Sequence, residues 1–257
     1  MLMLFNKTTF IGIDPRAGKH PMTYVAFDKE LQLLAISSGD IDEIIAFVSG
    51  QESAFVCISA PRRPNQNLMK KETVRASLAP APRPGRWLGY RVAEYLLSQI
   101  NIRTPRTPSA EQECPRWMQT GFSLFRRLEA LGYRDYPDDD SPKQIMETYP
   151  QAAYTVLLGH KPFPKRSLEG RIQRQLILYE REINLSDPMR VFEEITRYRL
   201  LQGHLPMEGL HTPDELDALL SAYTAWLAIM HPEQTTAIGH PAEGQIILPA
   251  SDLKNGY

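Results

Sequence analysis

Short apolar runs with strand periodicity dominate the first sixty positions of the chain. They cover residues 8–14, 22–27 and 31–37, and the short polar join between the second and third runs predicts a hairpin. A continuous apolar run at residues 54–58 predicts a strand buried in the middle of a sheet. Before this run, apolar residues recur at helical spacing after Asp40, a residue type that favours a helix N-terminus. The order of three strands, a helix and a fourth strand predicts a mixed α/β sheet.

The rest of the chain is mostly helical in its periodicity. A stretch rich in proline and basic residues at 61–84 predicts a long loop, and residues 145–149 predict a strand that Pro150 ends. The tail at 244–249 predicts an edge strand or a segment that covers the site. Helical spacing predicts helices at residues 86–99, 117–131, 167–183, 187–202 and 212–230. We therefore expect a single domain over residues 1–257, with an insertion at residues 61–140 made of the basic loop and helices.

Composition excludes several classes of protein. The hydrophobic fraction of 42% is sufficient for a core, and the formal net charge of -1 predicts no general attraction to nucleic acid or membrane. Two cysteines are too few for a disulfide framework or a thiolate zinc site. No window approaches the length of a membrane span, so we expect a cytoplasmic protein with no membrane partner.

Positive charge is concentrated in the predicted loop. Residues 61–86 hold seven basic side chains, among them Arg62 and Arg63, and one acid, Glu72, which gives a local charge of seven minus one, or +6. Such a segment is either a phosphate-contacting surface or a solvated loop.

Carboxylates occur at the ends of predicted elements. Asp14 ends the first strand, Glu147 lies in the strand at 145–149, and the last helix carries Asp214 and Asp217 at positions i and i+3, on one side of that helix. Sites in open α/β sheets collect at the carboxyl ends of strands, which is where Asp14 lies.

Helix capping explains part of this acidic pattern. Thr212 and Glu215 have the spacing of a capping box, and acids in the first turn also favour the helix dipole, which accounts for Asp214 in part. It does not account for Asp217, which lies past the first turn and precedes an apolar run. Close carboxylates repel one another unless a cation neutralises them, and Mg²⁺ prefers hard oxygen ligands. We therefore predict that Mg²⁺ or Mn²⁺ is held by Asp14, Glu147, Asp214 and Asp217, of which Asp14, Glu147 and Asp217 are catalytic.

Several short motifs occur in an order that resembles one family. They are Gly12-Ile13-Asp14, Tyr90-Arg91-Val92-Ala93-Glu94, Trp117-Met118 with Gly121-Phe122, Glu147-Thr148-Tyr149-Pro150, Gly170-Arg171 with Arg174, Asp214 with Asp217-Ala218, and Glu243-Gly244. Over nearly its full length the chain resembles the domain of unknown function 429 family, whose members are regarded as predicted nucleases of the ribonuclease H fold. The resemblance implies an α/β fold with a ribonuclease H-like mixed central sheet flanked by helices and a long helical insertion after the fourth strand.

The resemblance also implies roles for individual residues. The four carboxylates would be metal ligands, and Arg91, Glu94, Arg171 and Arg174 would act in binding or in structure. The family often carries an acid after the fourth strand, where this chain has Ser59, a hydroxyl that supplies no charge.

Three functions follow as hypotheses. The first is a metal-dependent nuclease that hydrolyses phosphodiester bonds, with DNA and RNA both open. Its expected contacts to nucleic acid are Arg62, Arg63, Arg91, Lys165, Arg171 and Arg174. The second is a catalytically weak or inactive protein of the same fold that binds nucleic acid or regulates. The third is a phosphotransferase of the actin-like branch, although no glycine-rich phosphate loop follows the first strand.

Overall fold

One mixed sheet of eight strands forms the centre of the protein. The computed structural model describes residues 7–17, 20–190, 192, 199, 201–204 and 207–257. The strands are β1 (Thr8–Asp14), β2 (Met22–Phe27), β3 (Leu33–Gly39), β4 (Ser53–Ile58), β5 (Arg134–Asp135), β6 (Lys143–Glu147), β7 (Thr236–His240) and β8 (Gly244–Leu248).

Helices cover both faces of the sheet. They are α1 (Ile41–Ser49), α2 (Glu72–Ala76), α3 (Val92–Gln99), α4 (Arg116–Ala130), α5 (Pro150–Leu158), α6 (Leu168–Tyr179) and α7 (Pro213–Met230). Within the described part of the chain, none of the helices combines the length and apolar character needed to cross a membrane.

The strand order is β3-β2-β1-β4-β6-β8-β7, and β5 pairs with β6 outside this path. The strands β1, β4, β6 and β8 are parallel to one another. β2 is antiparallel to both β1 and β3, and β7 is antiparallel to β8. The carboxyl ends of β1, β4 and β6 therefore lie side by side, at the same end of these three central strands.

Alternation along the central strands divides the core into two layers. Phe10 of β1 and Cys57 of β4 face the layer that contains the apolar residues of α7. Ile11, Ile13 and Ile58 face the opposite layer, together with apolar residues of α1 and α4. Because side chains point alternately to the two faces, the central strands are apolar throughout, as strands covered on both sides must be.

The long helix α7 lies directly against the backbone of β1. A Cβ atom built on Gly12 would stand 2.0 Å from the carbonyl oxygen of Ala218 and 2.3 Å from the backbone nitrogen of Ala222. Any side chain at position 12 would therefore separate the helix from the strand. The small residues Ala218 and Ala222 complete this approach and are fully buried.

The predicted strands and helices are confirmed in most of their positions, with shifted ends. β3 begins at Leu33, because Leu31 has a φ of 57° and cannot continue a strand. The helix predicted at 86–99 begins at Val92, because Trp87 has a φ of 69°. The helix predicted at 187–202 falls largely outside the described residues.

The tail prediction is wrong in one respect. β8 is an internal strand between β6 and β7, so the edge on that side of the sheet is β7. Strand β7 was not predicted, because residues 236–240 form too short and mixed a run to show strand periodicity. Strand β5 and helices α2 and α5 were not predicted either, and α2 lies inside the predicted loop.

We expect Gly12→Ala to destabilise the protein severely. The added methyl group meets backbone atoms of α7, which cannot rotate away, so the helix must shift; overpacking of this kind costs about 1–3 kcal/mol or more. Urea denaturation measures the loss. Gly50→Ala is the matched control, since Gly50 has ordinary helical dihedrals and a Cβ there would stay 3.5 Å or more from other atoms. Equal stability of the two variants would contradict the proposed packing constraint.

Candidate functional site

A polar cavity opens at the carboxyl ends of the central parallel strands. It has a volume of about 410 Å³ and is lined by Asp14, Ser59, Tyr149, Asp214 and Asp217, among others. Asp14 is the last residue of β1, and Ser59 directly follows β4. The hydroxyl of Ser59 donates a short hydrogen bond to Asp14 Oδ1.

The start of α7 presents the other two carboxylates. Thr212 caps the helix, its hydroxyl accepting from the backbone N–H of Glu215, and Glu215 accepts in return from the N–H of Thr212. This predicted capping box is confirmed, and it leaves Asp214 and Asp217 free of the cap. Because Gly12 holds α7 against β1, Asp217 comes close to Asp14, and the two carboxyl groups raise each other's energy when both are charged.

Two cations compensate part of this negative charge. Lys165 Nζ lies 2.8 Å from Asp217 Oδ2 and 3.9 Å from Asp214 Oδ1. Arg16 pairs with Asp214 at 2.8 Å. The loop that carries Lys165 is held against α6 at Gly170, where a Cβ would stand 1.9 Å from the carbonyl oxygen of Pro164.

The protonation of the cavity departs from that of exposed carboxylates. Burial, and then the charge of Asp217, raise the pKa of Asp14 from 3.8 to about 7, although the hydrogen bond from Ser59 opposes this. Burial also raises the pKa of Asp217, against the lowering effect of Lys165. Burial alone would lower the pKa of Lys165, but the charge and hydrogen bond of Asp217 outweigh it and raise that pKa. Perturbed groups of this kind in a cavity are typical of functional sites.

The donor set has the chemistry that a hard divalent cation requires, but the ammonium of Lys165 stands among the donors. Across the described residues, no group of three or more His, Cys, Asp or Glu side chains converges on one point as a metal cage would. Asp14, Asp214, Asp217 and the Ser59 hydroxyl supply oxygen donors of the type that Mg²⁺ and Mn²⁺ prefer. To hold an ion, these side chains would have to converge and Lys165 would have to leave Asp217.

The structure does not bring Glu147, predicted as a metal ligand and catalytic residue, to this cluster. Glu147 is 3% exposed, and its two carboxylate oxygens accept from Arg91 Nη1 at 2.7 Å and Nη2 at 2.8 Å. Glu147 Oε2 also accepts from the backbone N–H of Arg62 at 2.8 Å. Both oxygens of this carboxylate therefore accept from protein donors.

Strand alternation explains why Glu147 is separated from the acids. Glu147 lies opposite Ile58 in the parallel pair β4–β6, and Ile58 faces the layer of α1 and α4. One residue further along these strands, Thr148 lies beside Ser59, and Ser59 lies beside Asp14. Thr148, and not Glu147, is therefore on the same face of the sheet as Asp14. A five-residue run in the sequence does not reveal which of two adjacent residues faces α7.

Glu147 is instead part of a buried ion-pair network, defined by Arg91, Glu94, Glu147 and Glu243. Glu94 accepts from the backbone N–H groups of Arg91 and Thr107, and Glu243 accepts from those of Gln66 and Val92. Arg91 Nη2 also donates to the carbonyl groups of Glu243 and Gly244. Several short motifs of the sequence thus meet in one structural network that joins the insertion to β6 and β8.

Most of the arginines predicted to bind nucleic acid have protein partners. Arg91 and Arg174, both predicted to contact nucleic acid, are each 1% exposed. Arg174 donates to the carbonyl groups of Phe163 and Gly170, and Arg171 donates to those of Leu210 and His211. Arg62 pairs with Glu129 and Asp135.

The two remaining predicted cations differ in position. Arg63 is partly buried beside Arg62, outside the residues that line the acidic cavity. Lys165 does line the cavity. The basic segment at 61–86 contributes none of that cavity's lining residues.

Sequence reasoning missed three residues that line the acidic cavity: Arg16, Trp117 and Tyr149. Arg16 and Tyr149 lie within two residues of Asp14 and Glu147 along the chain, and each follows a strand. Their positions after the carboxyl ends of strands were the available signal. Trp117 comes from α4, far away in sequence, and its approach depends on how that helix packs.

Comparison with known proteins gives a family and no activity. The family model described as a protein of unknown function, DUF429, matches residues 41–243. The chain belongs to the DUF429 family. No curated protein and no solved structure matches it. The DUF429 match includes the buried network and the acids of α7, while β1 with Asp14 lies before its first residue.

We expect Glu147→Gln in this DUF429 protein to reduce stability while leaving metal affinity at the acidic cavity unchanged. Removing the charge of Glu147 takes the bidentate partner from buried Arg91 and leaves only Glu94 and Glu243 near its charge; breaking a buried pair of this kind costs about 3–5 kcal/mol. Urea denaturation and calorimetric titration with Mn²⁺ measure the two effects. Glu129→Gln, which removes a half-exposed partner of Arg62, is the milder control. Loss of Mn²⁺ binding by a folded Glu147→Gln protein would restore Glu147 as a ligand.

We expect the metal-free protein to lose stability as pH rises from 5 to 7. Between the ordinary pKa of 3.8 and the native value of about 7, folded Asp14 keeps a proton that the unfolded chain has released. The proton on folded Asp14 therefore stabilises the protein at low pH, and this stabilisation is lost as pH rises through 7. The free energy of unfolding falls by at most about 1.4 kcal/mol per pH unit for one proton. Urea denaturation in chelator, compared between wild type and Asp14→Asn, measures it. An equally steep decline in Asp14→Asn would exclude Asp14 as the source.

Proposed function

We propose that this protein is a metal-dependent phosphodiester hydrolase of ribonuclease H-like fold, which acts on nucleic acid. The observation that carries the proposal is the meeting of Asp14 with Asp217 at the carboxyl end of β1. The strand order β3-β2-β1-β4-β6, with β2 alone antiparallel, supports the fold assignment.

Asp14 and Asp217 would hold Mg²⁺ or Mn²⁺, assisted by Asp214 and by the Ser59 hydroxyl. When bound, the ion would polarise the phosphoryl group and favour a hydroxide nucleophile at neutral pH. Asp14 and Asp217 would hold the ion as ionised carboxylates, so metal binding by this protein would be coupled to loss of the proton of Asp14.

The chain's own cations orient the substrate in this proposal. Lys165 is bonded to Asp217 in the metal-free protein, and after release its ammonium can bind a phosphate oxygen at the mouth of the cavity. Arg166 lines the same cavity and is exposed, so its guanidinium is available to a neighbouring phosphate. Such contacts position a strand without reading its sequence.

The proposal predicts metal-dependent cleavage that requires Asp217. We expect wild type to cut members of a labelled panel of DNA and RNA substrates in Mg²⁺ or Mn²⁺ and to cut nothing in chelator. Asp217→Asn removes a ligand charge and should lower the rate by at least about a hundredfold, comparable to the loss of one strong transition-state contact. Gel analysis of the products measures the rate. Asp252→Asn, an exposed site outside the cavity, is the matched control.

Metal binding to Lys165→Met tests whether Lys165 competes with the ion for Asp217. Because the variant removes the ammonium that competes for Asp217, calorimetry should show tighter Mn²⁺ binding than in wild type. Weaker binding would contradict the competition between Lys165 and the ion. Nucleic-acid binding that weakens with salt and persists in Asp217→Asn, with no cleavage by wild type, would instead favour a non-catalytic binding protein.

A further inference from the structure

The acidic cavity has aromatic residues in its wall as well as charged ones. Trp117 and Tyr149 line it together with Asp14 and Asp217. The charge of Asp217 acts on the Tyr149 hydroxyl and helps to raise its pKa, after burial, which places that ring close to the acids. A cavity for an ion and a phosphate alone has no need of an indole.

Trp117 differs from the other two tryptophans of the chain. Trp87 forms edge contacts with Tyr90 and Tyr95, and Trp226 stacks on Tyr223. Among the ring pairs of the described residues, Trp117 takes part in none. It is partly buried against the apolar residues at the start of α4, so the indole is held in place while part of it borders the cavity. A fixed aromatic surface at a cavity wall is the feature on which nucleobases stack.

A larger cleft adjoins the cavity at Arg16, which lines both. The cleft has a volume of about 680 Å³, and one wall is a face of α4 with Arg116, Gln119, Thr120 and Ser123 at helical spacing. Trp117 follows Arg116 directly, so the helix presents polar groups to the cleft and an indole to the cavity. Exposed Arg116 can neutralise a phosphate along this path, and Arg16 can do so when it leaves its ion pair with Asp214. Asp40 and Glu43 line the cleft as well, so the strand would follow the side of the two arginines.

The geometry points to an unpaired strand as the substrate. We infer that one base stacks on Trp117, beside Tyr149, while the adjoining phosphate lies at Asp14 and Asp217 and the strand continues past Arg16 into the cleft. This inference rests on the proposed function. A paired base in a duplex offers only its groove edges to a protein, and its faces are covered by neighbours. It reaches Trp117 only by leaving the stack, which costs unstacking free energy.

The test is binding of fluorescent 12-mers in chelator, measured by anisotropy. The probes are oligothymidine, oligouridine, an abasic strand of equal charge and a duplex. We expect at least one of the two base-bearing single strands to bind about 5-fold to 100-fold more tightly than the abasic strand, as stacking contributions indicate. The same strand should also bind more tightly than the duplex. This comparison uses the wild-type protein, so it holds whether or not a variant folds.

Variants then locate the effect at Trp117. Trp117→Leu keeps an apolar side chain without a π face and should abolish the preference for bases, while Trp117→Phe should retain most of it. Trp226→Leu, outside both the cavity and the cleft, is the matched control. Equal affinity for base-bearing and abasic strands, or a preference that survives in Trp117→Leu, would overturn the inference.

Cleavage assays separate this inference from the proposed function. Metal-dependent cutting of duplex, unchanged in Trp117→Leu, would overturn the single-strand inference and leave the hydrolase. Trp117-dependent binding of single strands without any cleavage would support the stacking site and overturn the hydrolase. Failure to bind any nucleic acid, in chelator or in Mg²⁺, would overturn the inference itself.

Discussion

The contact between Gly12 and the backbone of α7 sets the geometry of the acidic cavity. Since a single methyl group at Gly12 would stand 2.0 Å from Ala218 O, the helix lies as close to β1 as two backbones allow. Ala218 and Ala222 are the small residues that make this approach possible. Asp217 precedes Ala218 and Asp14 follows Gly12 by two residues on the same face of the strand. The contact that closes the core therefore also forces two carboxylates together, and neither can be moved apart without opening the packing beneath them.

The buried network of Arg91, Glu94, Glu147 and Glu243 supplies hydrogen-bond partners to backbone groups of the long loops. Long loops carry backbone N–H groups that need partners when they are covered. Glu94 and Glu243 accept from such groups in the insertion, and Arg91 joins the insertion to β6 and β8 through Glu147 and the carbonyl of Gly244. A buried ion pair contributes little net stability, but it specifies one arrangement, because any other leaves a charge unpaired. The network fixes the segments around Gln66, Arg91 and Thr107 against β6 and β8, while α4, which carries Trp117, is held by its own packing against α1 and the central strands.

The sequence was most informative where local signals and long-range packing agree. The strand runs of β1 to β4 and the Thr212–Glu215 capping box show their structure within a few residues, and Asp217 stood out because capping did not explain it. It was least informative where a side chain's direction decides its role. Glu147 and Thr148 are adjacent, and only the pairing with β4 determines which one shares a row with Ser59. The long arginines were equally ambiguous, since the same residue type binds phosphate at a surface and carbonyl groups in a core.

The two sets of acids differ in how their charge is compensated, and this difference favours the cavity as the functional site. Glu147 accepts hydrogen bonds from two nitrogens of the Arg91 guanidinium and from a backbone N–H, so its negative charge is compensated within the fold. Asp14 receives one hydroxyl, and burial with a neighbouring carboxylate holds its pKa near 7. A carboxyl group that burial and repulsion oppose lowers stability at this position, because an amide or an apolar side chain there would remove that cost. Lys165 relieves Asp217 in part, yet it is itself partly exposed on a loop, whereas Arg91 is locked in the core. A partly exposed cation beside incompletely compensated carboxylates can be replaced by a charged ligand, whereas the buried Arg91–Glu147 pair cannot.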